Sequence, residues 1–310
     1  QVVKEEYFTA TGRCAVKTQT GLVLALKYHL SDNERLTEQM LRKLLRDNKN
    51  KLNTGFVGTP LLCNVLTEHG MTDLAYRLLL NEEYPGWLHE VKLGATTVWE
   101  RWNSLDENGR ISSTGMNSLN HYSYGAVLEW IFRHVAGIDV TEQGPGGKMM
   151  RISPKVDYKL GSASAVYDSA SGCYRCGWQI ANGDQITVTV TVPFGAKAQV
   201  ILPYAPDSVY HDTDNPLFET VENGICCVKA GQYTVTYKAA SPLKKSYSVD
   251  STLEDLLAEP AIRAFLSNMM EVDMIPDLAY GLTLRQAAEA FAGGVSAEQA
   301  QRLNALLEEF

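Results

Sequence analysis

In the stretch GATTVWERWNS, residues 94–104, a single glutamate, Glu100, stands between Trp99 and Trp102, with Arg101 beside it. Carboxylates normally sit where water solvates them, so indole neighbours on both sides call for a reason. The wider stretch repeats the pattern: Tyr84, Trp87, Trp99, Trp102, His121, Tyr122 and Tyr124 are interleaved with Asn103, Asn117, Asn120, Glu100 and Arg101. Flat aromatic faces beside amides and carboxylates suit a sugar, whose ring offers an apolar C–H face for stacking and hydroxyls for polar contacts. The same composition admits core tryptophans and a glutamate that is merely a solvated helix end.

Other chemistries find little support. GPGGK at 144–148 fails as a phosphate loop, because Met149 stands where a Ser or Thr would hold magnesium. Neither G-x-S-x-G nor H-E-x-x-H occurs. His29, His69, His89, His134 and His211 lack metal-ligand spacing and read as surface or satisfied helix residues. Cys173 and Cys176 form a C-x-x-C that, with Cys226 and Cys227, would make a four-thiolate zinc site. The competing reading is four half-buried strand residues, since adjacent cysteines are an awkward donor pair. No metal and no cofactor is therefore expected.

A formal net charge of −8 argues against a nucleic-acid partner, which needs clustered Lys and Arg. No apolar run long enough for a membrane span occurs. Six cysteines are few for 310 residues and do not resemble a disulfide framework. The opening QVVKEEYFTA lacks the basic start and apolar stretch of a signal peptide. A reducing, cytoplasmic location is expected.

The elements that must position Glu100 are helical. Residues 12–137 carry helix-period apolar patterns, the first placing Ala15, Leu22, Leu26 and Leu30 on one face. Ser31 with Glu34 reads as a capping box for a second helix bearing Leu36, Met40, Leu44 and Leu45. Thr59 reads as an N-cap followed by Pro60 in the first turn, and Thr72 starts a further helix. A long, deeply buried helix is expected from Ser118 to Val135. Then the period changes: Ile186, Val188, Val190 and Val192 alternate with threonines, after a hairpin turn at Asn182 and Gly183. Many short strands over about 150–239 suggest a β-sandwich. From Ser251 onward the helical period returns, with capping boxes at Thr283 with Gln286 and Ser296 with Gln299.

The segments TGRCAVKTQTGLVLAL, LNTGFVGTPLLCNVL, DLAYRLLL, YPGWLHEVKLGATTVWERWNS and MNSLNHYSYGAVLEW, in that order, resemble the second half of the catalytic domain of bacterial α-L-rhamnosidases of glycoside hydrolase family 78. PGGKMMRISPKV and the strands after it resemble that family's C-terminal β-sandwich. The resemblance covers residues 7–240. It implies an (α/α)6 toroid and inverting hydrolysis of terminal α-L-rhamnosyl groups, with an L-rhamnose-containing glycoside as substrate. The glutamate of the GATT-hydrophobic-WE motif is the family's general base and matches Glu100. The histidine of NHY contacts the sugar and matches His121. Trp99, Trp102 and Arg101 are further candidates for substrate contact, with core packing an equal role for the tryptophans.

Inversion needs two carboxyl groups about 6.5 to 9.5 Å apart, one protonated and one ionised. The acidic, arginine-containing motif that carries the family's general acid is absent. Asp106, Glu107, Glu90 and Glu129 are available carboxylates, none at a matching position. Length agrees: twelve helices need roughly 190 residues, and far fewer precede the strands. The expected fold is therefore multidomain α and β. An incomplete (α/α)6 toroid (1–138) precedes an antiparallel β-sandwich (139–246) and a small helical appendage (247–310). The missing upstream half of the catalytic domain, or another chain, would complete the toroid. The alternative function is a non-catalytic carbohydrate-binding or assembly protein that keeps this architecture.

Overall fold

The computed structural model describes residues 2–106, 108–112, 115–141, 144–212, 214–291, 293–308 and 310. They form two compact units, Gln1–Leu243 and Lys244–Phe310.

The first unit begins with helices α1 (Val2–Tyr7), α2 (Gln19–Lys27), α3 (Glu34–Asp47), α4 (Thr59–Glu68), α5 (Thr72–Leu79) and α6 (Trp87–Lys92). Apolar on most of its circumference, α4 buries Leu62, Cys63, Val65 and Leu66 and packs on both α2 and α5. The patterned residues Leu22 and Leu26 are buried as expected, whereas Ala15 and Leu30 fall outside α2, which starts behind an N-cap at Thr18. The cap of α3 is Asn33, not Ser31: the Asn33 side chain accepts from Leu36 N–H at 3.1 Å. The Ser31 hydroxyl is buried and donates to the Gly12 carbonyl, and Glu34 pairs with His29 at 2.7 Å. Gly58 holds the N-cap position of α4, because the Thr59 hydroxyl is engaged with Thr54 at 2.8 Å.

The expected long helix from Ser118 is shorter. Residues 118–122 are irregular, since Ser118 and Val98 carbonyls accept from Glu100 and His121 N–H and this pairing replaces helical bonds. Helix starts only at 123 and runs to 135 as a tight turn, then α7 (Val127–Trp130), then a widened turn. Trp130 and Val135 are buried, but Leu119, Tyr122 and Leu128 face solvent, so burial is one-sided.

Among the described residues nine strands follow: β1 (Ile138–Val140), β2 (Met149–Ile152), β3 (Ser162–Ser169), β4 (Gly172–Ala181), β5 (Gln185–Val192), β6 (Lys197–Ile201), β7 (Val221–Glu222), β8 (Ile225–Val228) and β9 (Gly231–Lys238). One sheet is ordered β1-β2-β6-β8-β7 and the other β3-β4-β5-β9. The second is antiparallel throughout. The first contains one parallel pair, β2 with β6, a departure from the expected antiparallel pattern. The whole β3–β5 meander intervenes between those strands and gives the chain room to cross back. Ile186, Val188, Val190 and Val192 point inward while their threonine neighbours point outward. Asn182 and Gly183 both take positive φ in the turn before β5. Strand alternation buries Cys176 and Cys226 but turns Cys173 and Cys227 to the opposite faces, so the four thiols do not converge.

Helices and both sheets share one core, in which Trp130, Tyr174, Met150, Ile152 and Val200 are sealed from solvent. The Tyr174 hydroxyl reaches Gly147 and Lys197 carbonyls, and Trp178 Nε1–H donates to the Val135 carbonyl at 2.7 Å. Buried ring heads thus find backbone acceptors.

The second unit holds α8 (Leu253–Ala258), α9 (Pro260–Ser267), α10 (Leu284–Phe291) and α11 (Ala297–Leu307) around Leu253, Leu256, Ile262, Leu266, Leu284 and Leu307. Both expected capping boxes form. The starts of α8 and α10 brace each other reciprocally: Leu253 N–H donates to Leu282 and Leu284 N–H donates to Ser251. No helix among the described residues is long and apolar enough to cross a membrane.

Candidate functional site

Glu100 lies in an irregular segment laced to the strip 117–121. Glu100 N–H donates to the Ser118 carbonyl at 2.9 Å, and His121 N–H to the Val98 carbonyl at 2.8 Å. The Thr97 hydroxyl bonds the Leu119 carbonyl. Ser104, fully buried, accepts from Arg101 N–H and donates to Asn117, whose amide returns a bond to the Ser104 carbonyl. The backbone is therefore pinned on both sides of Glu100 without regular secondary structure. Glu100 itself is half-buried, and among the described residues no hydrogen bond or ion pair engages its carboxylate.

The two flanking tryptophans differ. Trp102 stacks on Tyr124 with ring centroids 4.0 Å apart, meets Trp87 edge-on, and donates its indole N–H to the Thr54 carbonyl at 3.3 Å. Its indole donor is engaged, as in a core residue. Trp99 is only 3% exposed, yet its indole N–H has no hydrogen-bond partner among the described residues. Trp87, Trp130 and Trp178 all have bonded indoles, which leaves Trp99 as the exception. The Tyr124 hydroxyl is unclaimed in the same way.

His121 is held between two rings, Phe56 at 4.8 Å and Tyr122 at 5.3 Å, both nearly parallel to it. Its Nδ1 accepts from Ser123 N–H at 3.2 Å. That fixes the neutral ring's proton on Nε2, which becomes a donor. Phe56 also meets Tyr124 edge-on at 5.6 Å. A continuous series of rings thus runs Tyr122, His121, Phe56, Tyr124, Trp102, Trp87.

Burial raises the Tyr124 phenol above its ordinary value, Glu90 and Tyr84 add to the shift, and Arg101 opposes it, with a smaller contribution from Glu100. One phenol therefore lies within electrostatic reach of Glu90, Arg101 and Glu100. Glu90, on α6, is 3% exposed; its Oε2 accepts from Trp99 N–H at 3.4 Å and its Oε1 has no partner. Burial pushes this carboxyl up to about 7, while the Trp99 bond pulls it back down.

Two further candidate carboxylates are committed elsewhere. Asp106 accepts from Asn108 and Arg110 N–H in a turn, and Glu129 pairs with Arg133 at 3.1 Å. Glu107 lies outside the described residues. A recess of about 450 Å³ on the four-stranded sheet, lined by residues including Ser164, Gly177, Gln179 and Thr189, offers hydroxyls and an amide but no acid or base.

The structure thus gathers Glu100, Trp99, Arg101 and His121 in one locality, with Trp102 beneath them as packing. The arrangement supplies one free acceptor that is basic as an anion and three donors, on Trp99, His121 and Tyr124, suited to sugar hydroxyls. Phe56 and Tyr124 belong to it as well. Tyr124 could be suspected from the aromatic-rich stretch, but nothing in NTGFVGTP marks Phe56.

Comparison with known proteins identifies the family. Residues 1–135 match the bacterial alpha-L-rhamnosidase 6 hairpin glycosidase domain, and residues 137–215 the bacterial alpha-L-rhamnosidase C-terminal domain. An alpha-L-rhamnosidase of Alteromonas sp. (strain LOR) is 39% identical over 221 residues, covering 70% of this chain and 23% of the relative. One from Formosa agariphila is 39% identical over 208 residues, covering 66% and 22% respectively. Among solved structures, Streptomyces avermitilis alpha-L-rhamnosidase complexed with L-rhamnose superposes with a TM-score of 0.68 at 32% identity, covering 76% of this chain and 23% of that one. Native alpha-L-rhamnosidase from Aspergillus terreus gives 0.66 at 29% identity, covering 77% and 26%. The chain spans about a quarter of the length of the relatives it matches.

Proposed function

The chain belongs to the bacterial alpha-L-rhamnosidase family, and from that premise we propose that it supplies the general-base side of an inverting α-L-rhamnosidase site. Glu100 takes a proton from the attacking water. His121, Trp99 and Arg101 hold the rhamnosyl group, Trp99 and His121 through their free N–H donors. Trp102 acts from below, by fixing Tyr124 and the segment that carries Glu100. The helical layer forms part of an (α/α)6 toroid.

The observation that carries this reading is the Glu100 carboxylate, unengaged by any described residue on a segment whose backbone is pinned on both sides. A general base must be rigidly placed yet keep its lone pairs for water. Inversion also demands a carboxylic acid across the sugar. Glu90 is too deeply buried to reach a glycosidic oxygen, and Asp106 and Glu129 are already engaged. None of these three meets that demand, and in the reading proposed here the acid is supplied by other polypeptide. The Streptomyces avermitilis neighbour is a complex with L-rhamnose, and that sugar is the ligand proposed here.

The test compares hydrolysis of a nitrophenyl α-L-rhamnoside by these residues alone and by a polypeptide that also carries the rest of the family's helical domain. Turnover only in the longer form, with inversion at the anomeric carbon followed by NMR, is the expected result. No turnover in either form with L-rhamnose binding retained favours a non-catalytic sugar-binding protein. Loss of both turnover and binding overturns the assignment.

A further inference from the structure

We infer that Glu90 is a positioning residue for Glu100: its carboxyl, buried beneath the site, holds the Trp99 peptide in place and couples the proton state of α6 to the placement of the neighbouring base. The inference rests on the proposed role of Glu100. Its physical content is the bond from Trp99 N–H to Glu90 Oε2, 3.4 Å long. Trp99 immediately precedes Glu100, whose own N–H is fixed to Ser118. Between the clasp of His121 on Val98 and that of Glu100 on Ser118, the only described partner of the Trp99 amide is this side chain.

An acid is a costly choice for such a place. A buried carboxylate oxygen with no partner loses the full hydration of an anion, and an amide or hydroxyl would accept the same N–H at less expense. Oε1 is in that state. A proton on Oε1 removes most of the cost, and burial keeps that proton bound up to about pH 7. Above it, the ionised group becomes a stronger acceptor for Trp99 N–H. The segment bearing Glu100 is thus held by a carboxylic acid on one side of neutrality and by a carboxylate on the other.

The titratable and charged groups around Glu90 are few. Tyr124 feels its charge directly, together with those of Glu100, Arg101 and Tyr84. On its own helix, Lys92 is tied to Glu82, and His89 packs edge-on against Tyr84. None of the groups shown hydrogen-bonds the Glu90 carboxyl, so no ion pair competes with the proton.

The test uses this chain labelled with 15N-tryptophan, whose five tryptophans give five backbone amides, with Trp99→Phe assigning the one of interest. From about pH 5 to about pH 9 the Trp99 amide resonance is expected to move through one step with a midpoint of about 7. In Glu90→Gln, whose side-chain carbonyl still accepts the N–H, the step disappears. A Trp99 amide that does not titrate in the unaltered chain, or a step that persists in Glu90→Gln, overturns the inference. In the longer, active form, Glu90→Ala should lower kcat about 10- to 100-fold with little change in KM, and Glu90→Gln should restore it. If no form turns over but the Trp99 amide still titrates through Glu90, the rhamnosidase reading fails and the structural coupling stands.

Discussion

The Trp102 ring lies flat on Tyr124, with centroids 4.0 Å apart and planes 6° from parallel, while its indole N–H is bonded to Thr54. Trp99, three residues earlier, is even more buried but its N–H has no partner among the described residues. The two tryptophans around Glu100 should therefore respond differently to substitution. Trp102→Ala is expected to destabilise the first unit by about 3 to 5 kcal/mol, the usual cost of removing a large buried ring. Trp99→Phe, which keeps the bulk and deletes only the donor, should weaken L-rhamnose binding about 5- to 10-fold, about one lost hydrogen bond. Denaturant midpoints and sugar titrations of both variants check the split. Equal effects on stability would remove the distinction.

Glu100→Gln keeps shape and removes basicity. In the longer form kcat should fall by roughly 10²- to 10⁴-fold, the usual contribution of a general base, with L-rhamnose affinity nearly unchanged. Added azide should restore part of the rate, because an anion needs no proton removed before it attacks. Near-normal turnover in this variant would exclude Glu100 as the base.

His121 offers Nε2 because Ser123 N–H occupies Nδ1, and the ring is clamped between Phe56 and Tyr122. His121→Ala should raise the L-rhamnose inhibition constant about 10-fold, a loss of about 1.4 kcal/mol, with a smaller effect on kcat. An unchanged inhibition constant would count against a sugar contact.

How much of this was legible depends on the distance over which each feature is encoded. β5 announced itself because Ile186, Val188, Val190 and Val192 alternate with threonines over consecutive residues, and the Asn182–Gly183 turn is local chemistry. Capping at Ser296 could be read for the same reason. The helix expected from Ser118 failed because its first residues pair with 98–100, an interaction no periodicity reveals. Ser31 misled because a hydroxyl three residues before a glutamate has the form of a cap, yet Gly12 claimed it and Asn33 was an equally good cap nearby. In the site, Glu100 and His121 could be found from motifs, whereas Phe56 and the inward turn of Glu90 depend on tertiary packing alone.

Two groups, Glu90 buried and His134 partly buried, pull the stability of the first unit in opposite directions with pH. Glu90 is raised from 4.5 to about 7, so the native state keeps a proton that the unfolded chain has released, and stability falls as pH rises through that window. His134 is lowered from 6.5 to about 4, by burial first and then by Arg133, so its contribution is lost as pH falls from 6.5 towards 4. Each effect is worth at most about 3 kcal/mol, and between the two ordinary values they nearly cancel. Glu90→Gln should unmask a rise in stability with pH from His134 alone, and His134→Gln the opposite slope from Glu90. All five tryptophans lie in Gln1–Leu243, so tryptophan emission during urea unfolding at several pH values reports on this unit. A Glu90→Gln chain with the same pH dependence as the parent would contradict the assignment.

In the second unit, two threonines each have a double task. Thr252 caps α8 by accepting from Asp255 N–H at 3.1 Å, and Thr283 caps α10 by accepting from Gln286 N–H at 3.1 Å. The same two residues face each other in the antiparallel bridge that braces the starts of both helices. Either threonine to alanine should cost about 1 kcal/mol through the lost cap. The bridge is a backbone contact and survives the loss of a hydroxyl, so each helix start stays held by its counterpart. The double variant should then cost close to the sum of the single ones, since each hydroxyl serves its own helix. The amides of α8 and α10, followed by hydrogen exchange, register these losses, while tryptophan emission should not move. Strong non-additivity would mean that the hydroxyls, rather than the paired backbone, hold the two helix starts together.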